Sequence, residues 1–468
     1  MIDRLSALLG PAHVLTGKDA EAYGWDWGHG YFAQPLAVVR PASTAEVSAV
    51  VRLADETGTP VIPLSGRTGL AGGGQGEGAL VISLERMNRI REIRPGARSA
   101  VVEAGVVLAR LHEAVGEHDL IFPLMFGARG SAMIGGCLAT NAGGSNVLRY
   151  GNTRDLVLGI EAVLPNGEVV DLLQDLHKNN SGYDLRHLLI GSEGTLGIIT
   201  AAVVRLRPQP GAYATAMLGM DSLAPALGLL NRVQQATGGA VEAFEYMPGS
   251  YIADYLALHP EGRAPFEQSH PVNILIEIGA LAPRDCTPGP DGVVPIAGYL
   301  EEVLGEMLEA GEITDAVIAG TGAQRAALWA IREAASEIAA QRHPMSILDV
   351  AVPLDRVGDF LTRADDVLAS LDPGAGTSVV AHLGDGNVHY TIFPSSKDPM
   401  EKDRLVEAIE DVVADLRGAF SAEHGVGTHK LNTMARRKDP GALTAMRAIK
   451  AALDPKGIMN PGKLLPPQ

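Results

Sequence analysis

Short apolar runs and amphipathic stretches alternate along the first two hundred residues. Ala37-Val38-Val39-Arg40-Pro41 reads as a strand. Ser43-Thr44-Ala45-Glu46 has the Ser/Thr-to-Glu spacing of a capping box, ahead of a helix that runs to residue 57. Pro60-Val61-Ile62-Pro63-Leu64 reads as the next strand and leads into a glycine-rich loop, residues 65–74. After Arg205-Leu206-Arg207-Pro208 the pattern changes. Residues 214–218 and 272–278 read as strands, helical periodicity fits 221–237, 297–310 and 322–340, and the Pro-, Gly- and Asp-rich stretch 281–295 reads as a surface loop. The expectation is an α+β chain with a first domain over residues 1–207. A second domain follows over 208–453, built as a sandwich of antiparallel sheet with helices on one face.

Two histidines flank an Asp-Gly in the second domain, in the segment His382-Leu383-Gly384-Asp385-Gly386-Asn387-Val388-His389. Asp-Gly between apolar-flanked runs predicts a type I′ hairpin, which pairs His382 with His389. A four-residue loop over Gly384–Asn387 predicts the same pairing. Directly opposed residues share a face, with Cβ atoms roughly 5 Å apart. A lone histidine is ordinarily a surface or satisfied core residue. Two facing each other, with Glu423-His424-Gly425-Val426-Gly427 further on, point instead to a catalytic divalent metal held by His382, His389 and Glu423. Mixed nitrogen and oxygen ligands suit Zn²⁺, with Mn²⁺ or Fe²⁺ as alternatives.

Composition narrows the partners. The net charge of −17 argues against nucleic acid and against an anionic membrane surface, so an anionic substrate needs a local trap of arginine or metal. The two cysteines, Cys137 and Cys286, are too few for a disulfide framework or an iron–sulfur cluster, and electrons would have to leave to another molecule. No stretch of eighteen apolar residues predicts a membrane span, and the start Met1-Ile2-Asp3-Arg4-Leu5 lacks the layout of a secretion signal. The expected location is cytoplasmic, or the mitochondrial matrix after loss of a transit peptide.

Of the 468 residues 55 are glycine, and they cluster, which marks particular loops rather than general flexibility. The loop Ser65-Gly66-Arg67-Thr68-Gly69-Leu70 can form an anion nest or a plain turn; it is neither a Walker loop nor a Gly-x-Gly-x-x-Gly. A second string runs from Pro123 through Gly130-Ser131, Gly135-Gly136 and Thr140-Asn141 to Gly143-Gly144, and a third holds Glu193-Gly194 and Gly197-Ile198-Ile199. Tight strand packing explains one such string but hardly three. Together they resemble the FAD-binding domain of the vanillyl-alcohol-oxidase or p-cresol-methylhydroxylase type. With the second half added, the chain resembles the FAD-linked D-2-hydroxyacid dehydrogenases, which act on D-lactate, D-2-hydroxyglutarate or glycolate.

That resemblance implies FAD held by residues 65–70, by Pro123, Gly130, Ser131, Gly135, Gly136, Thr140, Asn141, Gly143, Gly144 and Tyr150, and by Glu193, Gly194, Gly197, Ile198 and Ile199. Relatives with covalent FAD usually carry a histidine in the first loop; Arg67 and Thr68 stand here, so noncovalent FAD is expected. Residues 454–468, with Asn460 near the flavin ring, return to the first domain. On spacing alone, Trp329, Arg332 and Ser336 share one helical face that also suits a solvated ion-pair surface. The family's Trp-x-x-Arg-Glu motif makes Arg332 the substrate-carboxylate residue, with Ser336, Trp329 and Asn387 beside it. Relatives acting on 2-hydroxyglutarate carry a Lys where this chain has Ile347, in Ser346-Ile347-Leu348-Asp349. An apolar residue there leaves a second carboxylate unpaired and favours a D-lactate-like monocarboxylate. His424 is the expected general base, and electrons go to an external flavoprotein, quinone or cytochrome. D-2-hydroxyglutarate or D-malate dehydrogenase, an O₂-using 2-hydroxyacid oxidase and a glycolate oxidase subunit are the alternatives. A homodimer is compatible with all of them.

Overall fold

The computed structural model describes residues 1–28, 30–290 and 292–467. The chain divides into two compact units, the first made of Met1–Gly143, Gly151–Pro208 and Glu423–Gln468, the second of Gly144–Tyr150 and Gln209–Ala422. The returning segment therefore starts at Glu423, not at 454. Its start is tied to the first unit by backbone N–H groups of Val426 and Gly427 on the Glu193 carboxylate, and its end by Lys450 Nζ on the Thr195 carbonyl.

In the first unit, Ala37–Val39 and Val61–Leu64 both lie parallel to Leu80–Ser83, with the helix Thr44–Thr57 crossing between them. Its start follows the capping-box expectation: Ser43 Oγ accepts the Glu46 N–H at 3.2 Å, and the Glu46 side chain takes the Ala42 N–H at 2.8 Å. Val47, Val50, Val51 and Ala54 bury one face of that helix against the strands. A five-stranded antiparallel sheet, in the order Ile90–Arg94, Ser99–Glu103, Ile198–Arg205, Val157–Val163, Val169–Leu172, completes the frame.

The second unit is built on a seven-stranded antiparallel sheet. Its order is Asp315–Ile318, Ala212–Met220, Val272–Ala280, Val241–Pro248, Gly376–His382, Asn387–Phe393, Ser346–Ala351. Helices cover both faces rather than the one expected. Ala226–Thr237, Pro295–Glu309, Val357–Leu371 and Pro399–Asp415 bury the larger core on one side. Gly249–Leu258, Gly322–Glu333 and Ala335–Ala339 bury a smaller one, with Met217, Met247, Leu275 and Val380, on the other. The central strand shows why: every residue of Val272–Ala280 is buried, so neither face can be left to water. The smaller core leaves part of its face to polar side chains, and those form the site.

Candidate active site

Alternation along the paired strands puts Glu245, His382, Asn387, His389, Asp349 and Ile347 on that second face. The hairpin that carries the histidines differs from the expected one. His382 pairs with Asn387, and His389 pairs with Val380, so the loop is Leu383–Gly386. Only Gly386 takes a positive φ, 82°, whereas a type I′ turn needs two such residues. The Asp385 carboxylate caps the Asn387 N–H at 3.1 Å, and the Gly384 N–H donates to Phe244 O at 3.1 Å, which fixes the longer loop. Gly386 also lies so near the Val352 carbonyl that a Cβ would stand 2.2 Å from it. His382 and His389 are thus diagonal rather than opposed. They still share a face, and their ring centroids lie 5.4 Å apart.

Each imidazole has a buried carboxylate at Nδ1. His382 Nδ1 is 2.9 Å from Glu245 Oε1, and a carboxylate can only accept, so the ring proton sits on Nδ1 and the lone pair on Nε2. His389 Nδ1 lies 3.7 Å from Asp349 Oδ1. Asp349 also accepts the Asn387 side-chain N–H at 3.0 Å and, at Oδ2, the Ala422 N–H at 3.2 Å. Ala422 is followed directly by Glu423 and His424, which open the segment returning to the first unit. Burial pushes the Glu245 carboxyl up, but His382 and Arg332 outweigh it and hold the group below the usual carboxylate range. At Asp385 burial is the larger effect: it pushes the carboxyl up to about 6, although His382 and Arg332 pull it down.

Arg332 is buried in the last turn of Gly322–Glu333. Its Nε donates to Glu245 Oε2 at 2.7 Å, while its Nη2 is buried with no hydrogen-bond partner among the described residues. Trp329, one turn earlier, donates its indole N–H to Glu277 at 2.8 Å, beside a two-pronged Arg325–Glu277 pair. The single helix expected over 322–340 breaks at Ala334, so Ser336 stands on the separate short helix Ala335–Ala339 and not on a continuous face with Trp329 and Arg332. The Tyr251 hydroxyl donates to the Ile331 and Arg332 carbonyls at 2.8 and 3.2 Å, which satisfies backbone groups near the break. Ile347, 40% exposed, pairs with Thr391 one step from the Asp349–His389 pair.

The first unit brings its three glycine strings together. Gly66 lies against Ser131 and Ala132, so that a Cβ there would meet Ser131 O at 2.4 Å and Ala132 Cα at 2.9 Å. Ser131 precedes the helix Ile134–Thr140, which contains Gly135 and Gly136; Thr140 Oγ1 donates to the Gly136 carbonyl at 3.1 Å, and Asn141 caps the helix in the left-handed region. Glu193 N–H donates to Ala139 O at 2.8 Å and Gly191 N–H to Leu138 O at 2.9 Å, which docks the third string on that helix. Arg67 does not point along the loop; it donates to Ala22 O at 2.7 Å and covers the Tyr23 ring. Asn460 Nδ2 ties Gly73 O to Glu193 O, at 3.1 and 2.6 Å, and the backbone of Val61 pairs with Ile458 and Asn460 on the parallel side. Ser65 Oγ and Asn460 Oδ1 are buried without a hydrogen-bond partner among the described residues. Left-handed backbone, small residues and unmet polar atoms suit the polar edges of a bound dinucleotide.

Two expected cofactor contacts, Glu193 and Tyr150, have protein partners here. Both Glu193 oxygens accept backbone N–H groups, from Val426 and Gly427 at 2.7 Å each, so this buried carboxylate shapes the loop after His424. Burial pushes its carboxyl up, against those two N–H groups. Gly144 and Tyr150 fall in the second unit, where the Tyr150 hydroxyl donates to Glu242 at 2.7 Å. Sequence reasoning missed Glu245 altogether. The available signal was the two glutamates, Glu242 and Glu245, in the otherwise largely apolar strand Val241–Pro248, since unpaired charges do not stay in such a run.

Residues 209–464 match the family model described as FAD linked oxidases, C-terminal domain, and residues 35–173 match that of an FAD binding domain. The D-2-hydroxyglutarate dehydrogenase of Xanthomonas citri pv. viticola is 37% identical over 454 residues, covering 95% of this chain and 92% of the relative. The mitochondrial D-2-hydroxyglutarate dehydrogenase of Bos taurus is 36% identical over 469 residues, 99% of this chain and 84% of the relative. Among solved structures, p-cresol methylhydroxylase with substrate bound has a TM-score of 0.74 at 17% identity, covering 99% of this chain and 96% of that one. 4-Ethylphenol oxidase from Gulosibacter chungangensis has a TM-score of 0.73 at 18% identity, with 99% and 97% covered. Identities this low speak for the fold alone.

Proposed function

The chain belongs to the FAD-linked D-2-hydroxyacid dehydrogenases, and from that premise we propose that it oxidises D-2-hydroxyglutarate to the 2-oxo acid with FAD and a divalent metal. The observation that carries the catalytic part is the His382–His389 pair, backed by Glu245 and Asp349, beside an arginine whose buried Nη2 has no hydrogen-bond partner among the described residues. Relatives named D-2-hydroxyglutarate dehydrogenase over nearly the whole chain outweigh the single departure at Ile347 that favoured a D-lactate-like substrate.

His382, His389 and Glu423 would hold the metal, preferably Zn²⁺, and the first unit's glycine loops would hold noncovalent FAD. Glu423 enters as the residue after Ala422, whose N–H is fixed on Asp349. The metal supplies a Lewis acid for the 2-hydroxyl and the flavin a hydride acceptor. Arg332 offers its Nη edge to the substrate carboxylate and so orients C2. His424 takes the hydroxyl proton as C2 gives up its hydrogen with two electrons, leaving a C=O. Those electrons then pass to an external acceptor.

One observation favours a second reading. Ile347 faces the same side as Asp349 and His389 and gives a distal carboxylate no charge partner, which suits a monocarboxylate such as D-lactate. Comparing kcat/KM for the two acids with an artificial electron acceptor decides between them. D-2-hydroxyglutarate is expected to exceed D-lactate by at least about 10-fold, which requires a cation other than residue 347 to meet its distal carboxylate. A preference for D-lactate would install the second reading, and turnover of neither would remove both.

A further inference from the structure

Glu245 lies between the two halves of the proposed site. It sits on Val241–Pro248, in direct register with His382 on the neighbouring strand. One oxygen takes His382 Nδ1–H at 2.9 Å and the other takes Arg332 Nε–H at 2.7 Å. Its side chain is buried, and so are those of both partners. Charge neutralisation in a core requires only that a carboxylate meet a cation. Here the choice of atoms goes further. Arg332 is gripped by Nε, while its Nη2 is buried without a partner among the described residues. His382 is gripped by Nδ1, so its lone pair is on Nε2. Each donor is held at one nitrogen, and that grip fixes how its other nitrogens can meet a ligand.

We propose that Glu245 is a positioning residue that fixes the His382 tautomer for metal and the Arg332 orientation for the substrate carboxylate at the same time. The inference rests on the reading of His382 as a metal ligand and deepens it. A carboxylate is the only side chain of this size that accepts at both ends. In the isosteric Glu245→Gln, one end becomes an NH₂ donor. If the amide oxygen stays on Arg332, the NH₂ faces His382 Nδ1, which must then accept; the ring proton moves to Nε2 and blocks coordination. If the oxygen stays on His382, Arg332 loses its anchor and meets a donor. Arginine has no second protonation state to offer whereas imidazole has a second tautomer, so the first arrangement prevails.

The test is Zn²⁺ titration of metal-free wild type and E245Q, flavin-loaded, followed by calorimetry, together with KM for D-2-hydroxyglutarate at saturating Zn²⁺. E245Q is expected to bind Zn²⁺ roughly 10- to 100-fold more weakly, the range seen when the group behind a ligating histidine is lost. KM for the acid, with zinc saturating, is expected to change far less. Equal zinc affinity in the two proteins would overturn the proposal. Wild type that binds no zinc would instead remove the metal reading itself, so the two failures are distinguishable. Should E245Q lose its cooperative melt, the wild-type chain answers alone. Side-chain ¹⁵N shifts of His382, assigned with H382Q, are expected to report the Nδ1–H tautomer in the metal-free protein, and an Nε2–H tautomer would overturn the inference.

Discussion

Gly66 has no room for a methyl group. An added Cβ meets the backbone of Ser131, Ala132 and Met133 at 2.4 to 2.9 Å, and backbone cannot swing aside as a side chain can. Gly66→Ala is therefore expected to destabilise the first unit by about 1–3 kcal/mol through overpacking. Because the displaced segments are the proposed flavin loops, it should also lower the ratio of flavin to protein absorbance after purification. Wild-type flavin content together with an unchanged melting temperature would refute the packing argument. The clustering of glycines made these loops legible in the sequence, since few other arrangements require three such strings. Glu245 was not legible. Its role depends on two partners, Arg332 and His382, that lie 87 and 137 residues away.

At the scale of elements, boundaries with local chemistry were readable and registers were not. The helix Thr44–Thr57 begins at Ser43 as its capping box indicates and ends at Gly58 in the left-handed region. The hairpin at 383–386 was readable as a hairpin, but its register slipped by two residues, because a side-chain cap from Asp385 and contacts to Phe244 and Val352 override the turn preference of Asp-Gly. The break at Ala334 was likewise hidden, for no proline or glycine marks it; Tyr251, distant in sequence, takes up the carbonyls there. Removing that hydroxyl in Tyr251→Phe is expected to cost about 1–2 kcal/mol. It should raise KM for the hydroxy acid more than it lowers kcat, since the end of the Arg332 helix loosens while His382 and His389 stay on their strands. A thermal melt and a steady-state analysis check this; an unchanged KM with the stability loss would make Tyr251 structural only.

For the whole molecule, the alternation of elements and the position of the first domain border were legible, and the expected cut at 207/208 falls beside the observed one at 208/209. The assignment of 144–150 to the second unit and the return from 423 onward were not, because composition does not shift at those points. What reassigns them is long-range bonding: Arg149 and Tyr150 on Glu242, and Glu193 on the loop at 426–427. A chain of net charge −17 that acts on an anionic hydroxy acid needs cations concentrated where the anion binds, and in the proposed site Arg332 and the metal would supply them. Among the described residues no helix is long and apolar enough to cross a membrane.

The central claim is that a metal on the histidine pair assists flavin-linked oxidation of a D-2-hydroxy acid. Its most direct test is anaerobic mixing of the flavin- and zinc-loaded protein with D-2-hydroxyglutarate, following loss of the oxidised flavin absorbance, before and after chelator dialysis. Rapid bleaching that slows at least roughly 100-fold without metal, and recovers when Zn²⁺ is restored, is the predicted result, since a Lewis acid on a developing alkoxide is worth several kcal/mol. Bleaching at the same rate in zinc-free protein would contradict it.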